Sequence, residues 1–183
     1  MHIAGGLSIL CDLAVEVEIA RRSGLFFLES EEMIEILEKM SALVAPVLEN
    51  HGAFLVDVSV RNERGGKLLQ AFIDTDEGIT IEECAIISRE FSQELDRENV
   101  IQGSYRLEVS SPGIDKPIRM LRQYRKNVGR RFNVVHQSAE TLTTLVGKLQ
   151  SVDDERLTFE IETGESVTLD FTKIIESKEE LPW

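Results

Sequence analysis

A stiff turn in the second half of the chain decides how the rest of the fold is organised. It lies within the stretch Leu107-Glu108-Val109-Ser110-Ser111-Pro112-Gly113-Ile114-Asp115-Lys116-Pro117-Ile118. Pro112 fixes its own φ and pushes Ser111 towards extended geometry, while Gly113 can adopt the positive φ that the third position of a type II turn requires. Alternating apolar residues before the turn predict a short strand. The stretch therefore predicts a strand that enters a connection of defined direction.

We call this connection the joint. Its members are Ser110, Ser111, Pro112, Gly113, Asp115 and Pro117. Pro117 restricts the backbone of the residue before it, as Pro112 does. Asp115 is placed to cap a helix that begins after it. Two prolines and one glycine in such a short segment predict a connection whose angle matters.

Charge is distributed unevenly along the chain, which has 183 residues, 42% apolar residues and a formal net charge of -13. Residues 1–112 carry 9 basic and 21 acidic side chains, residues 113–131 carry 7 and 1, and residues 132–183 carry 4 and 11. The averaged field of such a chain repels nucleic acid, so bulk RNA binding is disfavoured. Basic partners or localised contacts are favoured instead.

The only basic stretch follows the turn, and we call it the basic segment. Its cations are Lys116, Arg119, Arg122, Arg125, Lys126, Arg130 and Arg131. One interpretation is a local stripe that binds RNA phosphates, with Tyr124 stacked on a base. The other is a solvated helix face that neutralises two acidic domains across a hinge, because runs of charge are usually solvated. Both interpretations stay open at this point.

Motifs for catalysis, metal binding or cofactor binding are weak. Cys11 and Cys84 lack a Cys-x-x-Cys pattern, and the three histidines are too scattered for a metal site. The run from Asp74 to Gly78 resembles the start of a calcium loop but departs from its spacing, which favours a solvated strand-to-helix turn. Ser110 and Ser111 lie outside a Gly-x-Ser-x-Gly motif. We therefore predict no catalytic residues, no metal and no cofactor. An enzyme is the least favoured class of function.

Periodicity predicts an α+β chain in four parts. Residues 1–29 are an N-terminal extension, either an amphipathic helix or the product of a start assigned too far upstream of Met33. Residues 30–114 form an α-β-β-α-β sandwich domain with two helices on one face of three strands. Residues 115–128 form a basic hinge helix, and residues 129–183 form a small all-β barrel of SH3 or Sm type.

Helix boundaries and buried faces can also be predicted. Ser30 is expected to cap the first helix, Pro46 to bend or interrupt it, and Gly52 to end it. Thr80 and Glu83 form a capping box for the second helix. Its inner face is expected to consist of Cys84, Ile87, Phe91 and Leu95. In the hinge helix, the predicted inner face consists of Ile118, Leu121, Tyr124 and Val128.

The stretch from Val109 to Ile118 closely resembles the signature of the bacterial ribosome maturation factor P family. The segment from Ile73 to Thr80, together with Cys84, Ser88 and Leu95-Asp96, falls where that family carries its sheet-to-helix segment. The similarity runs from about Met33 to the end of the chain. Departures within the signature are Ile114, Lys116 and Ile118, where the family often has Leu, Arg and Leu.

This resemblance implies a non-enzymatic, cytoplasmic factor that binds the free small (30S) ribosomal subunit and assists its late maturation. It implies an α+β N-terminal domain and an Sm-like C-terminal barrel. The implied partners are a basic small-subunit ribosomal protein, docked on the acidic barrel, and ribosomal RNA, touched by local basic contacts. No membrane is involved, and we expect a monomer. The alternative is a stand-alone Sm-like RNA-binding module, which would bind isolated RNA tightly and with a steep salt dependence.

Replacing Gly113 with Val tests the role of the joint. Val is strained at positive φ, so the substitution should redirect the chain and weaken binding to the small subunit, while both domains stay folded. Co-sedimentation measures binding, and circular dichroism measures folding. Full binding by Gly113→Val would show that the joint is only a linker.

Overall fold

The computed structural model describes residues 27–113, 116–138 and 141–180. The N-terminal extension predicted for residues 1–29 lies almost wholly outside the described residues, as do Ile114 and the helix cap predicted at Asp115. The described chain divides into two compact units. Unit 1 contains the residues up to Ile73 together with Ile81–Ser110, and unit 2 contains Asp74–Thr80 together with the residues from Ser111 onward.

The segment Asp74–Thr80 groups with unit 2, although the sequence placed it inside one continuous domain from residue 30 to residue 114. The physical reason is contact, since carboxylates of this segment bind cations of the basic segment, which also belongs to unit 2. The two residues of each such ion pair lie about fifty positions apart in the sequence. Unit 2 is therefore assembled from two separate pieces of chain.

Unit 1 is a mixed α and β unit with a three-stranded sheet. Its elements in chain order are α1 (Phe27–Asn50), β1 (Phe54–Glu63), β2 (Gly66–Asp74), α2 (Ile81–Arg97) and β3 (Tyr105–Ser110). The strand order is β1-β2-β3, and β2 and β3 run parallel with Leu69 opposite Leu107. Parallel neighbours need a crossover connection, and α2 supplies it. Helix α1 packs on β1 and on α2.

Helix α1 differs from the prediction at its start and in its middle. It begins at Phe27, so Ser30 lies inside the first turn and is not the cap. Leu28 and Glu29 are good helix formers, and nothing in them stops a helix from extending. The helix also continues through Pro46 to Asn50. Burial of Val44, Val47 and Leu48 in the core holds the last turns together despite the missing N–H.

The end of α1 confirms the prediction at Gly52. Its φ is +63°, its N–H donates to the Glu49 carbonyl at 3.2 Å, and the Ala53 N–H donates to the Leu48 carbonyl at 2.9 Å. These two bonds define a Schellman motif, which satisfies carbonyls at the helix end. The chain thus turns sharply from α1 into β1.

The inner face of α2 is the one predicted from the sequence. Cys84, Ile87, Phe91 and Leu95 are all buried. On β1, the alternating residues Phe54, Val56, Val58 and Val60 are buried as well. Strong 3.6- and 2-residue periods therefore specified these faces correctly.

Unit 2 contains a five-stranded antiparallel sheet. Its elements are α3 (Leu121–Arg125), β4 (Arg131–Ser138), β5 (Thr141–Asp153), β6 (Arg156–Ile161), β7 (Ser166–Asp170), a 3-10 turn (Phe171–Lys173) and β8 (Ile174–Glu179). The strand order is β7-β6-β5-β4-β8. The last strand therefore returns to pair with the first, and Val134 lies opposite Ser177. A single core joins the sheet to α3 through Tyr124, Phe132, Val134, Leu145, Leu149, Leu157, Phe159 and Leu169.

The predicted hinge helix over residues 115–128 is wrong in extent, because α3 covers only Leu121–Arg125. The chain leaves the helix at Lys126 and passes through a turn that ends at Gly129, whose φ is +92°. Val128 therefore points away from the core and is 48% exposed, contrary to the prediction. Ile118 and Leu121 do pack against the core, as predicted.

Replacing Gly52 with Ala should destabilise unit 1 by about 1 kcal/mol, because a side chain at positive φ is strained. No atom lies within 4 Å of an added Cβ there, so steric clash does not contribute. Chemical denaturation of the full chain measures the loss. Gly52→Asn is the matched control and should lose less, since Asn tolerates the left-handed region. Equal losses for both variants would contradict this explanation.

Candidate functional site

The basic segment of unit 2 meets two carboxylates of Asp74–Thr80. Arg122 Nη2 donates to Asp76 Oδ2 at 2.7 Å, and Arg122 Nε donates to Asp76 Oδ1. The guanidinium fork thus binds the carboxylate through two parallel hydrogen bonds, which is the strongest geometry for such a pair. Both side chains are nevertheless open to solvent, with 43% of Arg122 and 59% of Asp76 exposed.

The second pair joins Lys126 to Asp74 and is more deeply placed. Lys126 Nζ donates to Asp74 Oδ1 and to the Thr75 carbonyl oxygen at 3.3 Å. Asp74 Oδ1 also accepts the Thr75 N–H at 2.9 Å. Only 6% of the Asp74 side chain is exposed, so removing Lys126 would leave a buried charge without its partner. This pair therefore anchors the segment, whereas the Arg122 pair lies at the surface.

Electrostatics at Asp76 follow from this geometry. The hydrogen bond from Arg122 lowers the pKa of the Asp76 carboxyl, and the nearby charges of Arg122, Arg125 and Lys126 lower it further. The Arg122 pKa is raised in return by the same hydrogen bond. A carboxyl with a lowered pKa stabilises the folded state above its ordinary pKa and loses that effect as pH falls through the lowered value. The pair is thus intact throughout the neutral range.

The other end of the basic segment is neutralised by the last strand of unit 2. Arg130 Nη1 donates to both carboxylate oxygens of Glu179 at 2.9 Å. Arg131 Nε donates to Glu180 at 2.9 Å, and Arg131 Nη2 donates to Glu162 at 3.2 Å. The β4–β8 register explains the pairs with Glu179 and Glu180, because Phe132 lies opposite Glu179, whereas Glu162 follows β6.

The remaining cations differ in exposure. Arg119 and Arg125 are exposed, and Lys116 is half-buried. Arg125 forms no ion pair with any residue in the described part of the chain, although its charge acts on Asp76. Among the described residues of unit 2, carboxylate partners are present for Arg122, Lys126, Arg130 and Arg131.

Tyr124 is a core residue, and its predicted role as a base-stacking platform is wrong. Its side chain is fully buried and packs against Phe132 and Phe171, with ring centroids 5.7 and 6.1 Å away. Burial raises the Tyr124 pKa to about 12, an effect that the neighbouring Ser177 hydroxyl partly opposes. Neither hydroxyl meets hydrogen-bond geometry with a partner among the described residues. The helical period that placed Tyr124 on an inner face was the correct signal.

Gln123 is a structural residue that the sequence analysis missed. It is only 5% exposed, and its Oε1 accepts the N–H groups of Arg119 and Met120 at 3.1 and 3.0 Å. Its own carbonyl accepts Asn127 Nδ2 at 2.8 Å. A Gln at the third position of a helix is one half of a capping box, so the pattern was readable in principle. Gln123 thus supports both ends of α3.

The joint residues line a small cavity in unit 2 with a volume of about 280 Å³. Ser111, Pro112, Gly113 and Pro117 contribute to its wall, and Ser110 is the last residue of β3. The Gly113 φ is +71°, as the sequence predicted. Charged side chains of both signs also line the cavity, among them Asp74, Lys116, Lys126, Arg130 and Glu179. Its size lies at the lower limit of small-molecule sites, which are mostly apolar and span roughly 300–1,000 Å³.

The turn that resembles a calcium loop forms ion pairs with the basic segment. Asp74 and Asp76 are engaged by Lys126 and Arg122, so the prediction of a merely solvated turn needs correction. Within residues 27–113, 116–138 and 141–180, no group of three or more His, Cys, Asp or Glu side chains is arranged to hold a metal ion. His51 Nε2 lies 2.9 Å from Glu90 Oε2.

One comparison with known proteins bears on the family. The family model of the RimP N-terminal domain matches residues 43–115, which are 73 of the 183 residues. Over this part the chain is similar to the RimP family. The similarity supports a general role in ribosome maturation. The match covers most of unit 1 and reaches the joint, whereas the basic segment from Lys116 onward lies beyond it. Within the described residues, no helix combines the length and the apolar character that a membrane span requires.

Two substitutions at Tyr124 test whether its side chain lies in the core. Tyr124→Phe should be neutral or stabilise unit 2 by up to about 1 kcal/mol, because the buried hydroxyl has no partner of hydrogen-bond geometry among the described residues. Tyr124→Ala should cost about 3–5 kcal/mol through loss of a large core side chain. Chemical denaturation measures both effects. A Tyr124→Ala variant that keeps the full stability of the unaltered protein would contradict the core assignment.

Proposed function

We propose that this protein is a member of the RimP family that binds the free small (30S) ribosomal subunit and assists its late assembly. The observation that carries the proposal is the match of residues 43–115 to the RimP N-terminal domain. The signature-like stretch from Val109 to Ile118 supports it, since it overlaps the end of that match and continues into unit 2. The proposed protein is a cytoplasmic, non-enzymatic monomer without a cofactor.

Unit 2 is proposed to be an Sm-like barrel that docks a basic small-subunit ribosomal protein. The strand order supports a curled sheet, because the first strand, β4, lies between the second and the last. Residues 132–183 carry 11 acidic and 4 basic side chains, so the barrel attracts a basic partner. Complementary charge of this kind accelerates and orients docking.

The basic segment is proposed to touch ribosomal RNA. The proposed contacts are Lys116, Arg119, Arg122, Arg125, Lys126, Arg130 and Arg131. Arg119 and Arg125 are exposed, and arginine suits phosphate oxygens through its planar fork. Such contacts position a protein on RNA without reading its sequence.

The joint is proposed to set the direction in which the chain enters unit 2. Positive φ at Gly113 and the flanking prolines support a defined path rather than a flexible linker. The stand-alone RNA-binding module is less well supported. Binding of isolated single strands usually relies on exposed aromatic platforms, and Tyr124 is in the core.

Arg125→Gln tests the RNA contact of the basic segment. The substitution removes an exposed cation and should weaken subunit binding several-fold at low salt. The dependence of the binding constant on salt should also become less steep, by the amount that about one phosphate contact contributes. Co-sedimentation with free small subunits at several salt concentrations measures both quantities.

Arg156→Gln is the matched control, because Arg156 is exposed, lies on β6 of the same unit and carries the same charge. Its binding should stay close to that of the unaltered protein. Equal weakening by both substitutions would indicate an effect of overall charge alone. Failure of the unaltered protein to sediment with small subunits would overturn the proposed function itself.

A further inference from the structure

Two carboxylates of unit 2 form ion pairs with cations that the proposed RNA contact would use. We propose that Asp74 and Asp76 are internal substitutes for phosphate, so that RNA must displace Asp76 from Arg122 before the basic segment binds fully. This inference rests on the proposed RNA contact and adds a built-in competitor to it. Competition between Asp76 and phosphate for Arg122 would restrict binding to ligands that offer several phosphates at once.

The geometry of Arg122 supports substitution of one anion for another. Its Nε and Nη2 bind the two oxygens of Asp76 side by side. The same fork matches two oxygens of a phosphate group, which is why arginine is common at sites for either anion. A phosphate could therefore replace the carboxylate without a new arrangement of Arg122.

Exposure of the two pairs indicates which one opens. The Arg122 and Asp76 side chains are 43% and 59% exposed, and ion pairs this open to solvent contribute little to stability. The Lys126 and Asp74 side chains are 21% and 6% exposed, and Lys126 also holds the Thr75 carbonyl. Asp74 therefore keeps the segment attached while Asp76 can be displaced.

Position on α3 explains why a polyanion has an advantage over a single anion. Arg122 and Arg125 are three residues apart on one short helix, so their side chains emerge as neighbours. Arg125 has no ion pair with any described residue and can receive the first phosphate of a strand. The next phosphate then competes with Asp76 at a high effective concentration, which a separate ion lacks.

The test measures binding of a single-stranded oligouridylate by fluorescence anisotropy between 0.05 and 0.5 M salt. Asp76→Asn keeps the size of the side chain but removes its charge. It should bind about five- to tenfold more tightly at the lowest salt, with a salt slope steeper by about 0.7, as expected for one additional single-strand phosphate contact. The gain should shrink as salt rises.

Two further variants make the test specific. Glu165→Gln removes the same charge from an exposed position in unit 2 without a described side-chain partner, and its affinity should change less than twofold. Asp76→Asn combined with Arg122→Gln should lose the gain, because the released cation is gone. Circular dichroism confirms that each variant is folded.

The outcomes separate this inference from the function on which it rests. Tighter binding by Asp76→Asn that requires Arg122 supports the inference. Equal affinities for Asp76→Asn, Glu165→Gln and the unaltered protein overturn it, while sedimentation with small subunits still supports the proposed function. Failure of every variant to bind oligouridylate also overturns it. Loss of subunit binding by the unaltered protein overturns the proposed function.

Discussion

Pairing of β4 with β8 is the constraint on which unit 2 depends. It joins the first strand of the sheet to the last, so β8 lies beside the basic segment rather than far from it. The Ile118 N–H donates to the Ser177 carbonyl at 2.8 Å, and the Glu180 N–H donates to the Arg131 carbonyl at 2.8 Å. Both ends of the basic segment are thereby tied to one strand. Burial of Tyr124 among Phe132 and Phe171 then fixes α3 on the sheet.

Local neutralisation changes the meaning of the charge pattern. In the sequence, the basic segment is a concentrated positive stretch in a chain of net charge -13. In the fold, carboxylates bind Arg122, Lys126, Arg130 and Arg131, while Arg125 on α3 is exposed and has no ion pair with a described residue. Under the proposed RNA contact, polyanion binding to such a surface would depend on competition between phosphates and the protein's own carboxylates. This balance would explain how an acidic protein touches RNA at one place without binding it everywhere.

Regular periodicity made several features predictable. The inner face of α2, the alternating face of β1 and the end of α1 at Gly52 follow from local rules that tertiary contacts did not override. Prediction was wrong where two local signals competed. Ser30 resembled a cap, but the residues before it extend the helix. Val128 fitted a helical period, but the helix ends at Arg125, before the turn that leads to Gly129.

The sequence by itself determined the joint, the position of the basic segment and the family resemblance, because each is a contiguous stretch whose chemistry needs no distant partner. Only the tertiary structure decided that Asp74 and Asp76 bind Lys126 and Arg122, since these residues are 52 and 46 positions apart. It also decided between the two roles that the sequence left open for Tyr124, because it buries the ring in a core that the helical period only indicated. Ion pairs between distant residues depend on which segments the fold brings together, and no local pattern encodes that proximity.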